Sequence, residues 1–429
     1  MRLSTRFPSH GAWAALLASL CFTACGRANV SGPAVTPVAA AQCRIDEVSR
    51  AKLLDAHGRQ VYIQPVVAVP NTRGEILLGG ERNYVFGRQD DGRWTRVPED
   101  SLLGAIIPRT GPSKLVRAPI PSNRLGSVRA VARDDGTWAV VFAEMKPAGA
   151  ERSDSVARLW YGVLDGPRWT TLENIPVPPH GAVRGAGLSS PVEAGGVFSW
   201  AVILATPERP SDVLVLQRKQ GEWSYEVVPT IFASYAAITH ASGSEPVLAV
   251  VQPDLELPRD GNSLFLWARR AGWTQIAKVA SSSDGEVHDP RLDRLAGTRV
   301  LSWLAQRKGG AYSAHAVSGD SAGLGGSVVT LDSSVARGSR RAVFPVQSSP
   351  QVWVLDHQQL DGDAPEVRFV SNTGEAPTLI GQIPNPFIGP FAANMQSPSE
   401  ILVMGGVQDK IEDVVVTLVI RSGVRCTAP

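Results

Sequence analysis

Five arginines stand where apolar runs begin: Arg129, Arg184, Arg291 and the adjacent pair Arg340 and Arg341. A guanidinium is a rigid fork that holds a carboxylate through two parallel hydrogen bonds, so arginines delivered from separate segments suit an acidic ligand. The densest group of titratable side chains is the expected loop Ser281-Ser282-Ser283-Asp284-Gly285-Glu286-Val287-His288-Asp289. Cleaving a glycosidic bond needs a general acid and either a partner carboxylate or an activated nucleophile. Asp284, Glu286 or Asp289 could be that acid, and Tyr235, on a second expected loop, could be a nucleophile activated by a neighbouring carboxylate. His288 joins the arginines as a ligand-binding candidate. The plainer reading is that these groups solvate an opening and pair with one another. A binding protein is therefore expected, rather than an enzyme.

Other chemistry has less support. Asp284, His288 and Asp289 lack the spaced third ligand of a metal site. Asp254, Glu256, Asp260 and Asn262 form an acidic stretch without the alternating aspartates of a calcium loop. No Gly-x-Gly-x-x-Gly or Walker phosphate loop occurs, so a nucleotide site has no footing. Neither a metal nor a cofactor is expected.

Positioning such groups falls to a repeated unit. An apolar run, a tight turn and a second apolar run recur seven times, with turns at Arg73-Gly74, Asp135-Gly136, Gly195-Gly196, Ser244-Glu245, Ala296-Gly297, Ser349-Pro350 and Pro398-Ser399. Hairpins returning about every 50 to 60 residues mark radially repeated β-architecture. The expected fold is an all-β, seven-bladed propeller, although six or eight blades also fit the spacing. The inner hairpins are expected at Ile63–Pro70 with Glu75–Gly79, Val128–Arg133 with Thr137–Ala143 and Ala182–Leu188 with Val197–Leu204. The others are Tyr235–His240 with Pro246–Val251, Pro290–Leu295 with Arg299–Leu304, Ala342–Gln347 with Gln351–Leu355 and Phe391–Gln396 with Glu400–Met404. In such a wheel the loops that enter each blade gather on one face around the channel mouth, the natural place for a site.

Four outer hairpins share a second pattern, a turn followed by tryptophan. They are Tyr84–Arg88 to Trp94–Val97, Leu159–Val163 to Trp169–Leu172, Leu214–Gln217 to Trp223–Tyr225, and Leu264–Ala268 to Trp273–Ile276. A glycine before the tryptophan would supply a positive φ, and the indole would pack back over the sheet edge. Sugar-stacking platforms are the alternative, but recurrence at one position favours packing. Phrases such as LFLWARRAGW (Leu264–Trp273) and YVFGRQDDGRW (Tyr84–Trp94) resemble repeats of bacterial sialidase-like, BNR-type propellers, and similar phrases occur in exported lipoproteins. The resemblance implies three arginines from different blades gripping a substrate carboxylate. It makes a sialidase-like glycoside hydrolase the alternative function. Asp90-Asp91-Gly92-Arg93-Trp94 is one residue short of the family's Ser-x-Asp-x-Gly-x-x-Trp box.

The chain begins as an exported protein does. Arg2 and Arg6 precede the short apolar stretch Ala12–Phe22, and Phe22-Thr23-Ala24-Cys25-Gly26 resembles a bacterial lipobox with Cys25 as the lipidated residue. The expected organisation is a signal peptide at 1–24, a flexible tether at 25–42 and the propeller at 43–429. Such a protein would be held at the cell envelope by its lipid alone, with Gly26 after Cys25 favouring the outer membrane. Cleavage after Ala39-Ala40-Ala41 would instead give a soluble secreted or periplasmic protein. Setting aside Cys21 and Cys25 leaves Cys43 and Cys426, which an oxidising compartment and a circular fold would bring to pairing. A net charge of +2 without a basic stripe disfavours nucleic acid. The partner expected at the loop-rich face is an envelope protein or a glycan.

Overall fold

The computed structural model describes residues 43–426 apart from 64, 80–82, 89–92, 98–100, 122–123, 147–155, 177–181, 184–188, 206–209, 241–244, 257–260, 270, 282–285, 296–297, 308–309, 311, 320–327, 336–339, 346–350, 357–365, 371–377, 384–390, 398–399 and 412–413. The expected signal peptide, the tether and Cys25 lie outside the described residues. So do Arg184 and Asp284.

Seven antiparallel sheets form the blades of a β-propeller. Blade 1 contains β3 (Pro65–Pro70), β4 (Gly74–Gly79), β7 (Leu102–Pro108) and β8 (Lys114–Arg117). Blade 2 contains β9 (Leu125–Ala132), β10 (Trp138–Met145), β11 (Val156–Asp165) and β12 (Arg168–Asn174). In blade 3 the innermost strand is in two pieces, β13 (Ala182–Val183) and β14 (Val192–Ala194), both paired with β15 (Val197–Ala205). Strands β16 (Pro210–Lys219) and β17 (Glu222–Val228) complete it. Blade 4 runs β18 (Tyr235–His240), β19 (Pro246–Pro253), β20 (Asn262–Arg269) and β21 (Trp273–Ser281). Blade 5 runs β22 (Glu286–Leu295), β23 (Thr298–Gln306), β24 (Tyr312–Gly319) and β25 (Val329–Val335). Blade 6 is β26 (Arg340–Pro345), β27 (Gln351–Asp356), β28 (Glu366–Val370) and β29 (Thr378–Gln382). Blade 7 combines β30 (Phe391–Ser397), β31 (Glu400–Ile411) and β32 (Val414–Cys426) with β1 (Cys43–Lys52).

Strands β4, β10 and β19, second in their blades, are buried along almost their whole length, which is why the sequence there is apolar without alternation. Along β10, Val140 and Phe142 pack with Val67, Ile76 and Leu78 of blade 1. Their neighbours Ala139, Val141 and Ala143 point the other way, against Phe198, Trp200 and Val202 of blade 3. Burying one such large side chain contributes about 1.5–3 kcal/mol, so the blade-to-blade layers supply the main cohesion. The hairpin turns follow local chemistry. Gly195 and Gly196 have φ of 58° and 73°, the pair of positive angles that a two-residue hairpin turn demands.

The outer tryptophans link blades. Trp169 donates from its indole to the Arg117 carbonyl of blade 1 at 2.7 Å. Trp223 donates to Glu173 of blade 2 at 2.8 Å, and Trp273 to Glu226 of blade 3 at 2.9 Å. Arg218 donates to the same Glu173 oxygen at 2.6 Å, and Arg269 pairs with Glu226. The Trp223 ring packs edge-on to Tyr161 and Phe198. These indoles are inter-blade clasps. Gly166 and Gly221 before them have positive φ, whereas Gly272 does not.

The first of the four tryptophan hairpins is a correction. Tyr84–Arg88 (β5) and Trp94–Val97 (β6) do not form the outer half of blade 1; they pair with β2 (Gln60–Tyr62) in a separate three-stranded sheet. Blade 1 uses β7 instead, whose run LLGAIIP is buried almost throughout. A hairpin pattern states that two segments pair with each other; burial decides which sheet they join, and Leu102–Pro108 offers more apolar surface.

Closure is as the sequence implies. Strand β1 pairs antiparallel with β32, so the first strand completes the last blade. The backbone register sets Cys43 opposite Cys426. Between blades 7 and 1, Thr417 Oγ1 accepts from the Ile63 N–H at 2.9 Å and donates to the Ile63 carbonyl at 3.0 Å. Arg421 donates to Glu75 at 2.7 Å, with side chains only 14% and 6% exposed. Joining the chain ends removes an edge that would otherwise invite pairing with another chain.

Candidate functional site at the channel mouth

Glu286, Val287, His288 and Asp289 are not loop residues; they open β22, the innermost strand of blade 5. Ser281 ends β21, and residues 282–285 lie outside the described residues. The strand start is pinned from within the neighbouring blade. Asn262 accepts from the Val287 N–H at 2.9 Å and donates to the Val287 carbonyl at 3.2 Å. One extra residue is then inserted, since His288 pairs with Leu304 and Arg291 with Ser302. Asp289 sits in this bulge with φ of 43°, a conformation that aspartate tolerates better than most side chains. A bulge bends a strand and re-aims the side chains around it.

Two charges meet there. Arg291 Nη2 lies 3.4 Å from Asp289 Oδ2, and both side chains are about one-third exposed, at 35% and 38%. Arg129, on the innermost strand β9 of blade 2, is half-buried and feels both groups from across the wheel. Burial, followed by the positive charge of Arg291, lowers the pKa of the Arg129 guanidinium, while Asp289 opposes the shift. Its Nη1 donates to the Val128 carbonyl at 2.7 Å.

Beside this charge cluster lies a row of rings. The Tyr235 ring, from the first residue of β18 rather than a loop, meets the His288 ring edge-on at 5.8 Å. On its other side His288 meets Tyr312, the first residue of β24, at 5.6 Å. His288 Nε2 is buried and has no hydrogen-bond partner, with Glu286 Oε2 3.6 Å away. The Glu286 side chain is mostly in water. The entry strands of blades 4 and 5 thus present Tyr235, His288 and Glu286, with Tyr312 added from the third strand of blade 5.

The fold therefore pairs Arg291 with Asp289, sets Arg129 within electrostatic reach of both, and brings Tyr235, His288 and Glu286 together. Arg340 and Arg341 are in the inner strand β26, and their side chains lie outside the described residues. Tyr312 went unselected as a site residue in the sequence, where a tyrosine opening a third strand was the available signal, and Asn262, weighed there in an acidic stretch, instead pins Val287. Asp254 is engaged by Lys278 and accepts from Ser263 at 2.6 Å, an internal ion pair. Among the described residues, no group of three or more His, Cys, Asp or Glu side chains is placed to hold a metal ion.

No protein-family model matches the chain, and no curated protein does. Solved structures do share its fold. A polysaccharide lyase, an ulvan lyase, aligns over 87% of this chain and 95% of its own with 10% identity and a TM-score of 0.50. A sialidase of Trypanosoma rangeli, solved with sialic acid, aligns over 83% of this chain with 11% identity and a TM-score of 0.43. This chain spans 60% of that sialidase's length. An α-L-arabinofuranosidase of Fusarium graminearum aligns over 71% of this chain and 93% of its own with 11% identity and a TM-score of 0.45. At these identities the likeness is one of fold alone, that of a β-propeller.

Proposed function

We propose that the protein is a lipid-anchored cell-envelope protein whose propeller binds a carboxylate-bearing glycan at the channel mouth without cleaving it. The observation that carries the reading is the Arg291–Asp289 pair at the bulge of β22, with Arg129 of blade 2 within electrostatic reach of both. The positive charge of Arg291 disfavours that of Arg129, and an added anion relieves such repulsion. A carbohydrate ligand suits a scaffold shared with a polysaccharide lyase. Binding without cleavage is favoured because Tyr235 abuts the His288 ring, and Glu286, the nearby acid, stands largely in solvent.

Gel electrophoresis through immobilised polygalacturonate or polysialate tests the ligand. The protein should be retarded, and Arg129→Met and Arg291→Met should each weaken retardation about tenfold, consistent with the loss of one charge-assisted contact. Retardation by neither polymer, or retardation of both variants equal to that of the parent, refutes the reading.

Export rests on Arg2, Arg6 and the Ala12–Phe22 run, and anchoring on Cys25. Fatty-acid labelling of the protein, lost in Cys25→Ser, tests the anchor. The proposed Cys43–Cys426 bridge rests on their opposite positions in the β1–β32 register. Cross-strand neighbours lie within the Cα spacing that a disulfide spans. Non-reducing electrophoresis should show a faster band that Cys426→Ser abolishes.

A further inference from the structure

The connection from β17 into β18 holds an aromatic ring outward against the preference of its own backbone. Thr230 and Ala233 are buried, whereas Ile231 and Phe232 between them are 43% and 56% exposed. Both ends are tied down. The Val213 N–H donates to Thr230 Oγ1 at 3.2 Å, and Ser234 donates to the Val251 carbonyl from its N–H at 2.9 Å and its hydroxyl at 3.3 Å. Phe232 has φ of 51°. In that region Cβ crowds the following carbonyl, and bulky side chains other than glycine are rare there.

Folding alone does not account for this residue. Glycine would adopt the same turn without strain, and an exposed phenyl ring gains little from burial. Strain kept at a solvent-facing position points to a use for the side chain. Phe232 precedes Tyr235 by three residues, on the connection that enters blade 4 at the channel-mouth face.

We propose that Phe232 is a preorganised platform that stacks on the apolar face of a sugar ring in the glycan bound at the channel mouth; this rests on the function proposed above. A pyranose presents a patch of C–H groups, and the negative face of an aromatic ring attracts them. A two-torsion side chain on a pinned turn loses little freedom when it binds. Size favours a sugar over a protein partner. A stable protein interface covers about 800 Å² on each side, whereas the large apolar side chains exposed on this connection are Ile231 and Phe232.

Phe232→Gly removes the ring and relieves the turn, and Phe232→Tyr keeps the ring. In polygalacturonate and polysialate gels, Phe232→Gly should weaken retardation about three- to tenfold, within the range of a single aromatic contact. Phe232→Tyr should bind as the parent does. The melting temperature of Phe232→Gly should be unchanged or higher. Retardation of Phe232→Gly equal to the parent overturns the stacking role and leaves the arginine site standing. A sharp fall in melting temperature makes the ring structural and overturns it too. Loss of a co-purifying envelope protein with polymer binding intact reassigns Phe232 to a protein contact. Failure of both polymers to retard the parent overturns this inference together with the function beneath it.

Discussion

Replacing Trp223 by phenylalanine separates the two things its indole does. The ring packs against Tyr161 and Phe198 at centroid distances of 5.4 and 6.1 Å, and Nε1 donates to Glu173 at 2.8 Å. Trp223→Phe keeps most of the packing and removes the donor. A hydrogen bond to a charged group is worth about 1.5–3 kcal/mol. Glu173 is 32% exposed and keeps Arg218, which donates at 2.6 Å, so the expected loss falls below that range. About 1 kcal/mol is therefore expected for Trp223→Phe, against about 3 kcal/mol for Trp223→Ala, which also opens a gap between blades. For a domain of this length the unfolding entropy makes each kcal/mol worth about 1 °C, so urea midpoints are the better measure than melting temperature. The decisive assay is a double-mutant cycle of Trp223→Phe with Glu173→Gln, in which a coupling of about 1 kcal/mol is expected. A coupling of zero would refute the clasp. Equal costs for Trp223→Phe and Trp223→Ala would refute the view that ring packing carries the larger share.

Three more outcomes follow from the same geometry. Arg421→Met leaves the Glu75 carboxylate buried without its partner across the closing seam and should cost about 3–5 kcal/mol in urea unfolding; a cost below about 1 kcal/mol would show that the seam tolerates the orphan charge. Thr417→Val removes both of its bonds to Ile63 and should cost about 1–3 kcal/mol by the same measure, with a neutral result refuting their role. Burial would raise the Asp55 pKa, but the Arg59 side chain and the backbone N–H groups of Arg59 and His57 outweigh it and hold the carboxyl below its usual value. A depressed folded-state pKa adds stability above the unfolded value near pH 4 and loses it as pH falls through the folded one. Asp55→Asn should therefore flatten the acid limb of the stability profile, and an unchanged limb would refute the assignment.

Much of the wheel could be read along the chain because its informative features are local. Gly195-Gly196 announces a hairpin by itself, and the unbroken apolar run from Trp138 to Ala143 announces a strand covered on both sides. The tryptophan after a turn was legible as a repeated packing element at Trp169, Trp223 and Trp273. The same pattern misled at Trp94, because a hairpin's sequence does not name the sheet that receives it. The reading of 286–289 as loop failed for a related reason. Charged residues look like loop in one dimension, yet a strand lining a wet channel can carry them.

The sequence by itself determined the inner hairpins, the turn at Gly195-Gly196 among them, and the pairing of the first strand with the last, since each depends on neighbouring residues or on the ends of one chain. Only the tertiary structure decided that Arg129 feels Arg291 across the wheel, that a bulge at Asp289 re-aims the strand, and that Phe232 stands outward in a strained turn. Those features arise where separate blades are packed to a common centre. Packing acts between residues far apart in the chain, and no local pattern records which of them will meet.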